Sequence, residues 1–357
     1  MTADGVGGVW QYAMDLSSAL GRRGVDVTLA VMGPPLDESQ HAEASRQGIS
    51  VLENSCKLEW MEDPWDDLAR AGGWLRELEE TFRPDVVHLN GYCHATLAWR
   101  APAIVVGHSC VRSWWRAVRG EGASPAWDRY SAAVAAGLGA ARIVVAPTEA
   151  MRAALQEEYG PLSNVCVIPN GRALASRSED VVSQKAELIL AAGRIWDDAK
   201  NIAALCEVAP GLPWPVYVAG DAGPSGEADR LMRNVFYLGR LSTAMLADWY
   251  DRAAIYALPA RYEPFGLSVL EAAASGCALV LGDIRSLREN WSDAALFVPP
   301  GDRGALQASI ESLIGDPERR DRLARRASAR AAGLTAAHMA DRYLDAYETV
   351  LVRAAVA

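Results

Sequence analysis

Short apolar runs alternate with amphipathic stretches along almost the whole chain. In the amphipathic stretches apolar residues recur three or four positions apart, as Val9, Ala13 and Leu16 do, which predicts helices. Alternating strands and helices are typical of a parallel sheet with crossover helices, so the pattern predicts an α/β fold. The predicted strands lie within residues 25–33, 49–55, 85–91, 103–109, 142–148, 164–171, 187–195, 214–221, 234–240, 253–260, 277–283 and 294–300.

The alternation is interrupted by the polar segment "RALASRSEDVVSQK", which follows residues 170–171 and predicts a linker. The chain has 357 residues, more than one hydrophobic core usually organises. We therefore expect two facing, doubly wound Rossmann-like domains, formed by residues 1–171 and 172–333. The chain is predicted to be helical from about residue 303 onward. Its last helix, residues 334–357, is expected to cross back and pack on the N-terminal domain.

The start of the N-terminal domain departs from this pattern. A helix that begins near Val9 should follow a strand, yet only the eight polar or small residues "MTADGVGG" precede it. We therefore expect the first strand of this sheet to be missing, through a late start or a deletion, or another strand to fill its place.

Composition and charge narrow the functional classes. Hydrophobic residues make up 50% of the chain and charged residues 22%, which fits a globular protein with real cores. The net charge of -10 argues against nucleic acid as a partner. The six cysteines form no C-x-x-C pair, so neither a disulfide framework nor a zinc site is predicted. With no long apolar run and no signal peptide, we expect a cytoplasmic protein.

The stretch "RYEPFGLSVLEAAASG" follows a predicted strand, and ligands of open α/β sheets bind beyond the carboxyl ends of strands. Residues 265–268, which are Phe265, Gly266, Leu267 and Ser268, begin a predicted helix. The unpaired amides at such a helix start favour a phosphate. Glu263 is expected in the loop and Glu271 about one turn inside the helix. The alternative is an ordinary loop in which Glu271 only complements the helix dipole.

The segment "GRIWDDAKN" follows another predicted strand and contains two cations, Arg194 and Lys200. A phosphate between them would make a lysine at a helix start favourable. The alternative is a pair of solvated cations, with Asp197 and Asp198 as their partners.

Two further candidates lie in the N-terminal half. "GVGGVW" does not match G-x-G-x-x-G, but Gly7 and Gly8 open a helix and offer backbone donors to an anion. His108 ends a predicted strand and is expected to point toward the crevice between the domains, although a lone histidine is more often structural. No group of residues resembles a metal site.

Together these residues resemble the family 4 glycosyltransferases, retaining enzymes of the two-domain GT-B fold. "PARYEPFGLSVLEAAASGCALVLGD" is similar to the E-x7-E motif of that family, and "AAGRIWDDAKN" to the segment that holds the donor diphosphate. "CVIPNG" and "GVGGVWQYAMDLSSAL" are similar to its interdomain stretch and first glycine loop. The order and spacing of these motifs cover nearly the whole chain.

The resemblance implies a role for each candidate residue in the C-terminal half of the chain. Glu271 would bind the ribose of a nucleotide, and Glu263 would contact the donor sugar near the reacting centre. Arg194 and Lys200 would hold the diphosphate together with the helix amides.

In the N-terminal half, Gly7 and Gly8 would approach the phosphates. His108 matches a histidine that lines the donor sugar, but Ser109-Cys110 follows it where Asp or Gly is common.

The implied function is metal-independent retaining transfer of a hexose-type sugar from a nucleotide diphosphate sugar to an acceptor hydroxyl, without a cofactor. A GT-B phosphorylase, a nucleotide-sugar epimerase and a non-catalytic nucleotide-sugar-binding protein are the alternatives. The acceptor would be a sugar, a lipid or a small molecule. We expect it near "CVRSWWRAVRGEGASPAWDRY", whose tryptophans and arginines suit a sugar ring or the inner face of the membrane, where the contact would be peripheral.

Overall fold

The computed structural model describes residues 1–5, 7–173, 185–221, 223 and 233–356, which form two compact α/β units. The first unit comprises Met1–Ala173 and Ala336–Ala357, and the second comprises Leu174–Thr335. Most of the predicted linker lies outside the described residues.

The first unit contains two parallel sheets, with strand orders β1-β2-β3 and β4-β5-β6-β7. The strands are β1 (Thr2–Asp4), β2 (Thr28–Met32), β3 (Ser50–Asn54), β4 (Val87–Leu89), β5 (Ala103–Val106), β6 (Ile143–Ala146) and β7 (Val165–Val167). The helices are α1 (Gly8–Gly21), α2 (Glu38–Arg46), α3 (Trp65–Phe82), α4 (Val111–Arg119), α5 (Asp128–Ala140) and α6 (Glu149–Tyr159).

The first strand of the N-terminal sheet is present, so the prediction that it is missing is wrong. Thr2 pairs with Ala30 in a parallel register between β1 and β2. On its other side Thr2 meets Asn90, whose backbone N donates to Thr2 Oγ1 at 2.8 Å and whose Nδ2 donates to the Thr2 carbonyl at 2.7 Å. Neighbours on both sides hold this three-residue strand, so it needs no apolar run of its own.

The second unit contains one six-stranded sheet with the order β10-β9-β8-β11-β12-β13, and all of its strand pairs are parallel. Its strands are β8 (Ala186–Ala192), β9 (Val216–Ala219), β10 (Val235–Gly239), β11 (Ala253–Leu258), β12 (Ala278–Gly282) and β13 (Ala295–Val298). Its helices are α7 (Ile202–Val208), α8 (Thr243–Arg252), α9 (Leu267–Ala274), α10 (Arg285–Trp291), α11 (Arg303–Gly315) and α12 (Pro317–Ala331). Each run predicted as a strand overlaps one strand of the structure, which confirms the α/β alternation.

Helices cover both faces of the six-stranded sheet. Leu190 and Tyr256 pack into the core on one face, and their chain neighbours Ile189 and Ile255 pack into the core on the other. Successive side chains of a strand point to opposite faces, so these central strands are apolar throughout rather than alternating.

The terminal helix α13 (Ala336–Val356) packs on α1 of the first unit. Tyr343 is fully buried, and Asp341 accepts a hydrogen bond from Arg23 Nε at 2.6 Å. The helix starts where the backbone N of Ala336 donates to the carbonyl of Arg172 at 3.0 Å. Within the part of the chain that the structure describes, no helix is long and apolar enough to cross a bilayer.

Candidate active site

The loop between β11 and α9 presents the predicted phosphate-binding turn. Gly266 has φ of +92°, in the left-handed region, and a Cβ there would also lie 3.1 Å from Val269 Cγ2. Glycine therefore suits this position on both counts. Phe265 is buried, which anchors the loop and places Leu267 and Ser268 in the first turn of α9. The first amides of a helix have no acceptor within that helix.

Glu263 lies in the same loop and is only 9% exposed. Its carboxylate forms an ion pair with Lys200 Nζ, and its carbonyl accepts a hydrogen bond from Ser286 Oγ at 2.5 Å. The backbone N of Arg261 donates to the carbonyl of Ala199 at 2.8 Å, which joins the loop after β11 to the loop after β8. Lys200 and Glu263, which the resemblance assigns to different parts of the ligand, are therefore in direct contact with each other.

Arg194 occupies the start of the loop after β8. Its Nη2 lies 2.7 Å from Asp197 Oδ2, and Asp197 Oδ1 accepts from the backbone N of Ala199 at 3.0 Å. Burial raises the pKa of Asp197, but the charge of Arg194 and these hydrogen bonds outweigh burial and hold the pKa below its usual value. The Arg194 side chain remains 38% exposed. Of the two carboxylates expected as partners, Asp197 pairs with Arg194, whereas Lys200 pairs with Glu263.

Glu271 lies in α9, one turn after Ser268, and is partly exposed. Ser268 Oγ accepts a hydrogen bond of 2.8 Å from Tyr256, whose hydroxyl also lies 3.2 Å from the carbonyl of Ala192 at the end of β8. Burial, and then the charge of Glu271, raise the pKa of the Tyr250 hydroxyl. The first turn of α9 is thus tied through Tyr256 to β11 and to the carboxyl end of β8.

The remaining predicted residues belong to the first unit. Gly7 has φ of +76° and precedes the first residue of α1, Gly8; both are exposed, while Val6 lies outside the described residues. His108 follows β5, and its ring meets that of Tyr12 edge to face, with centroids 4.6 Å apart. Burial lowers the pKa of His108 to about 4, so this imidazole is neutral at neutral pH.

Family models match most of the chain. The model described as Glycosyltransferase Family 4 matches residues 6–175, and that of glycosyl transferases group 1 matches residues 186–316. The chain belongs to glycosyltransferase family 4.

Proteins similar to this family 4 glycosyltransferase match it over most of its length. Glycogen synthase of Mycobacterium tuberculosis is 27% identical over 91% of this chain and 86% of its own length. Sucrose-phosphate synthase of Thermosynechococcus elongatus has a TM-score of 0.82 at 19% identity, covering 99% of this chain and 96% of that one. Anabaena HepE, solved in complex with UDP-glucose, has a TM-score of 0.75 at 16% identity, covering 98% and 100%. These solved structures share the fold.

Some residues that contact the candidate site residues were not selected from the sequence. Asn90 and Tyr12 contact His108, and Ser286 holds the backbone of Glu263. Asn90 carried a usable signal, because it is a polar residue at the carboxyl end of a predicted strand. Ser286 carried none, since it lies 23 residues from Glu263 in a helix of its own.

Among the residues that the structure describes, no three His, Cys, Asp or Glu side chains are grouped so that they could hold a metal ion. Arg194 and Lys200 place two positive charges in the loop after β8.

Proposed function

We propose that this glycosyltransferase moves a hexose-type sugar from a nucleotide diphosphate sugar to an acceptor hydroxyl, with retention of configuration and without a metal ion. The observation that carries the proposal is the contact between Lys200 and Glu263 beside the first turn of α9. It places a cation, a carboxylate and helix amides at one end of one sheet. The UDP-glucose bound to HepE, a protein of the same fold, supports a nucleotide-sugar donor.

The cations and the helix amides would stabilise the leaving group. Breaking the bond between sugar and diphosphate places negative charge on the diphosphate and positive character on the anomeric carbon. Arg194, Lys200 and the first amides of α9 are donors held in place by the fold, so little reorganisation is needed as the charge develops. Glu263, paired with Lys200, would contact the sugar next to that charge.

The direct test supplies nucleotide diphosphate sugars and follows binding and product. Thermal unfolding with each nucleotide sugar identifies the donor, because a ligand at 100 times its Kd stabilises the folded state by about 2.7 kcal/mol. The anomeric coupling constant of the product, measured by proton NMR, then reports retention. An inverted product contradicts the stereochemical part of the proposal.

The alternatives separate in the same assay. A GT-B phosphorylase turns over with inorganic phosphate and no nucleotide, whereas an epimerase converts the nucleotide sugar without an acceptor. A binding protein without activity shows the thermal shift alone. Transfer requires the nucleotide sugar and the acceptor together.

Replacing Glu271 by Ala should weaken binding of the free nucleoside diphosphate about 10-fold to 100-fold. A charge-assisted hydrogen bond to a ribose hydroxyl contributes about 1.5–3 kcal/mol, and the free diphosphate nucleotide makes that bond as well. Isothermal titration calorimetry measures the change in Kd. The matched control is Glu207→Ala, which removes an exposed carboxylate that pairs with Arg303 in the same unit. Equal affinity of the Glu271 variant and the parent would exclude the ribose role.

We propose that the acceptor binds near α4, which begins three residues after His108. Trp114 and Trp115 are partly exposed there and meet edge to face, with ring centroids 6.1 Å apart. Arg112 and Arg116 both pair with buried Glu158, at 3.0 and 2.5 Å. This pairing reduces the positive charge that α4 offers to a membrane, so peripheral membrane contact stays a weaker proposal than a sugar acceptor.

Replacing Trp115 by Ala should raise the acceptor KM about 3-fold to 10-fold and leave donor hydrolysis unchanged. An aromatic contact of this kind contributes about 0.5–1.5 kcal/mol. Steady-state kinetics with varied acceptor measures the effect. Phe82→Ala, which truncates a 50% exposed ring at the end of α3, is the control. Equal loss of transfer and donor hydrolysis would rule out a role confined to the acceptor.

A further inference from the structure

We propose that Asn90 is a positioning residue that holds His108 in the tautomer with the proton on Nε2, so that Nδ1 accepts a hydrogen bond from a sugar hydroxyl. The tautomer follows from contacts within the first unit. The identity of the ligand rests on the proposed function.

The orientation of the Asn90 amide is determined by Thr2. Asn90 Nδ2 lies 2.7 Å from the carbonyl oxygen of Thr2, an atom that can only accept a hydrogen bond. The reversed amide would place two oxygens at this distance. A second hydrogen bond, from the backbone N of Asn90 to Thr2 Oγ1 at 2.8 Å, holds the same backbone in place. The side-chain oxygen of Asn90 must therefore face away from Thr2.

That oxygen lies 2.9 Å from Nε2 of His108. Because an amide oxygen is an acceptor, His108 Nε2 must carry the proton of this hydrogen bond. A neutral imidazole has one proton on its nitrogens, so Nδ1 is left with a lone pair. His108 can therefore accept a hydrogen bond from a ligand through Nδ1, but cannot donate one.

The same oxygen also lies 3.3 Å from Nε2 of His88, the histidine that ends β4. On its other side, His88 Nδ1 lies 2.7 Å from the hydroxyl of Tyr347 in α13. His88 Nε2 also lies 3.3 Å from the hydroxyl oxygen of Tyr12. With its proton on Nε2, His88 shares that proton between the Asn90 and Tyr12 oxygens and accepts from Tyr347 through Nδ1, so these contacts need no charged histidine. The Asn90 oxygen thus serves two neutral histidines.

The groups around the two histidines keep them neutral. Burial lowers the pKa of His108 to about 4, and burial, the Met1 amino group and His108 lower that of His88. Tyr12 from α1 and Tyr343 from α13 complete the surroundings, and burial raises the pKa of both hydroxyls. Burial also lowers the pKa of the Met1 amino group to about 6, so this group is mostly neutral at neutral pH, as the histidines and tyrosines around it are.

The tautomer is tested without any substrate. Two-bond proton–nitrogen spectra of nitrogen-15 histidine-labelled protein distinguish the tautomers, and a His108→Gln variant assigns the signal. We expect His108 to carry its proton on Nε2, and Asn90→Leu to populate the Nδ1–H form. A parent protein with the proton on Nδ1, or an unchanged tautomer in Asn90→Leu, overturns the inference. This measurement is independent of whether the proposed transfer reaction is correct.

Activity provides the second readout. Asn90→Leu should lower kcat about 10-fold to 100-fold, as misplacement of a ligand contact does. Asn90→Asp places a carboxylate against the same Nε2 proton and should raise the pKa of His108 by about 1 unit or more. A charged His108 has no lone pair on Nδ1, so the activity of Asn90→Asp should be low at acidic pH and recover as the pH rises through that pKa. A loss independent of pH in this variant contradicts the positioning role.

Asn164→Leu is the matched control. Asn164 also donates its side-chain amide to a backbone carbonyl, that of Ala141 at 2.7 Å, but contacts neither histidine. The Asn164→Leu variant should unfold at a lower temperature than the parent, while its His108 spectrum and the pH profile of its activity stay unchanged. The same spectral change in Asn164→Leu would show that general loosening of the unit, rather than Asn90, sets the tautomer.

Discussion

Replacing Glu263 by Gln should lower turnover about 100-fold or more, while the affinity for the free nucleoside diphosphate stays nearly unchanged. In the proposed reaction the carboxylate faces the positive character that develops at the anomeric carbon, a charge that free diphosphate does not have. Glutamine keeps the shape of the side chain and an oxygen that can accept from Lys200. Single-turnover kinetics with the donor, together with calorimetry of the diphosphate, separates the two quantities.

The control for Glu263→Gln is Glu207→Gln, the same chemical change at an exposed ion pair of the same unit. Exposed pairs contribute about 0–1 kcal/mol to stability, so this variant should keep full turnover. If Glu263→Gln also turns over at the parent rate, the carboxylate serves the fold of the loop and not the reaction.

Replacing Lys200 by Met should weaken diphosphate binding about 10-fold to 100-fold and lower turnover about 100-fold to 1,000-fold. The ammonium would contact the diphosphate before and after bond breaking, so both binding and turnover depend on it. The turnover loss is larger because the charge on the diphosphate grows as the bond breaks. Calorimetry and kinetics on the same preparation measure both effects.

Lys200→Met also leaves the buried carboxylate of Glu263 without its cation. This loss lowers the free energy of unfolding, separately from any effect on ligand binding. The double variant Lys200→Met with Glu263→Gln removes that cost. Its free energy of unfolding should return toward that of the parent, while its turnover stays low. Arg303→Met, which removes an exposed cation of the second unit, should change neither quantity. Recovery of turnover to the parent rate in the double variant would show that Lys200 and Glu263 serve only to neutralise each other and that neither acts in the reaction.

The regular elements were predictable because their signal is local. Central strands such as β11 and β12 are buried on both faces, and they read in the sequence as continuous apolar runs bounded by polar loops. Glycine also marks element ends, since Gly315 is the last residue of α11 and Gly333 lies in the turn between α12 and α13. The rule that ligands bind at carboxyl ends of strands then selected the loops after β8 and β11.

The first strand shows where that local signal ends. Thr2 and Ala3 are buried, yet the strand is three residues long and contains no branched aliphatic residue. Its order comes from β2 on one side and from Asn90 on the other, and both partners are distant in the chain. A short strand that is held mainly by its neighbours has no pattern of apolar and polar residues from which it could be predicted.

The sequence by itself determined the α/β class, the strands that read as apolar runs, and the loops that carry Arg194, Lys200, Glu263 and Glu271. It also indicated Asp197 as a partner of Arg194, three residues away. Only the tertiary structure decided that Lys200 pairs with Glu263, 63 residues later, and that Asn90 holds His108. The physical reason is that each of these contacts joins loops that follow neighbouring parallel strands. Which strands are neighbours depends on the packing of the whole sheet and on no local pattern of residues.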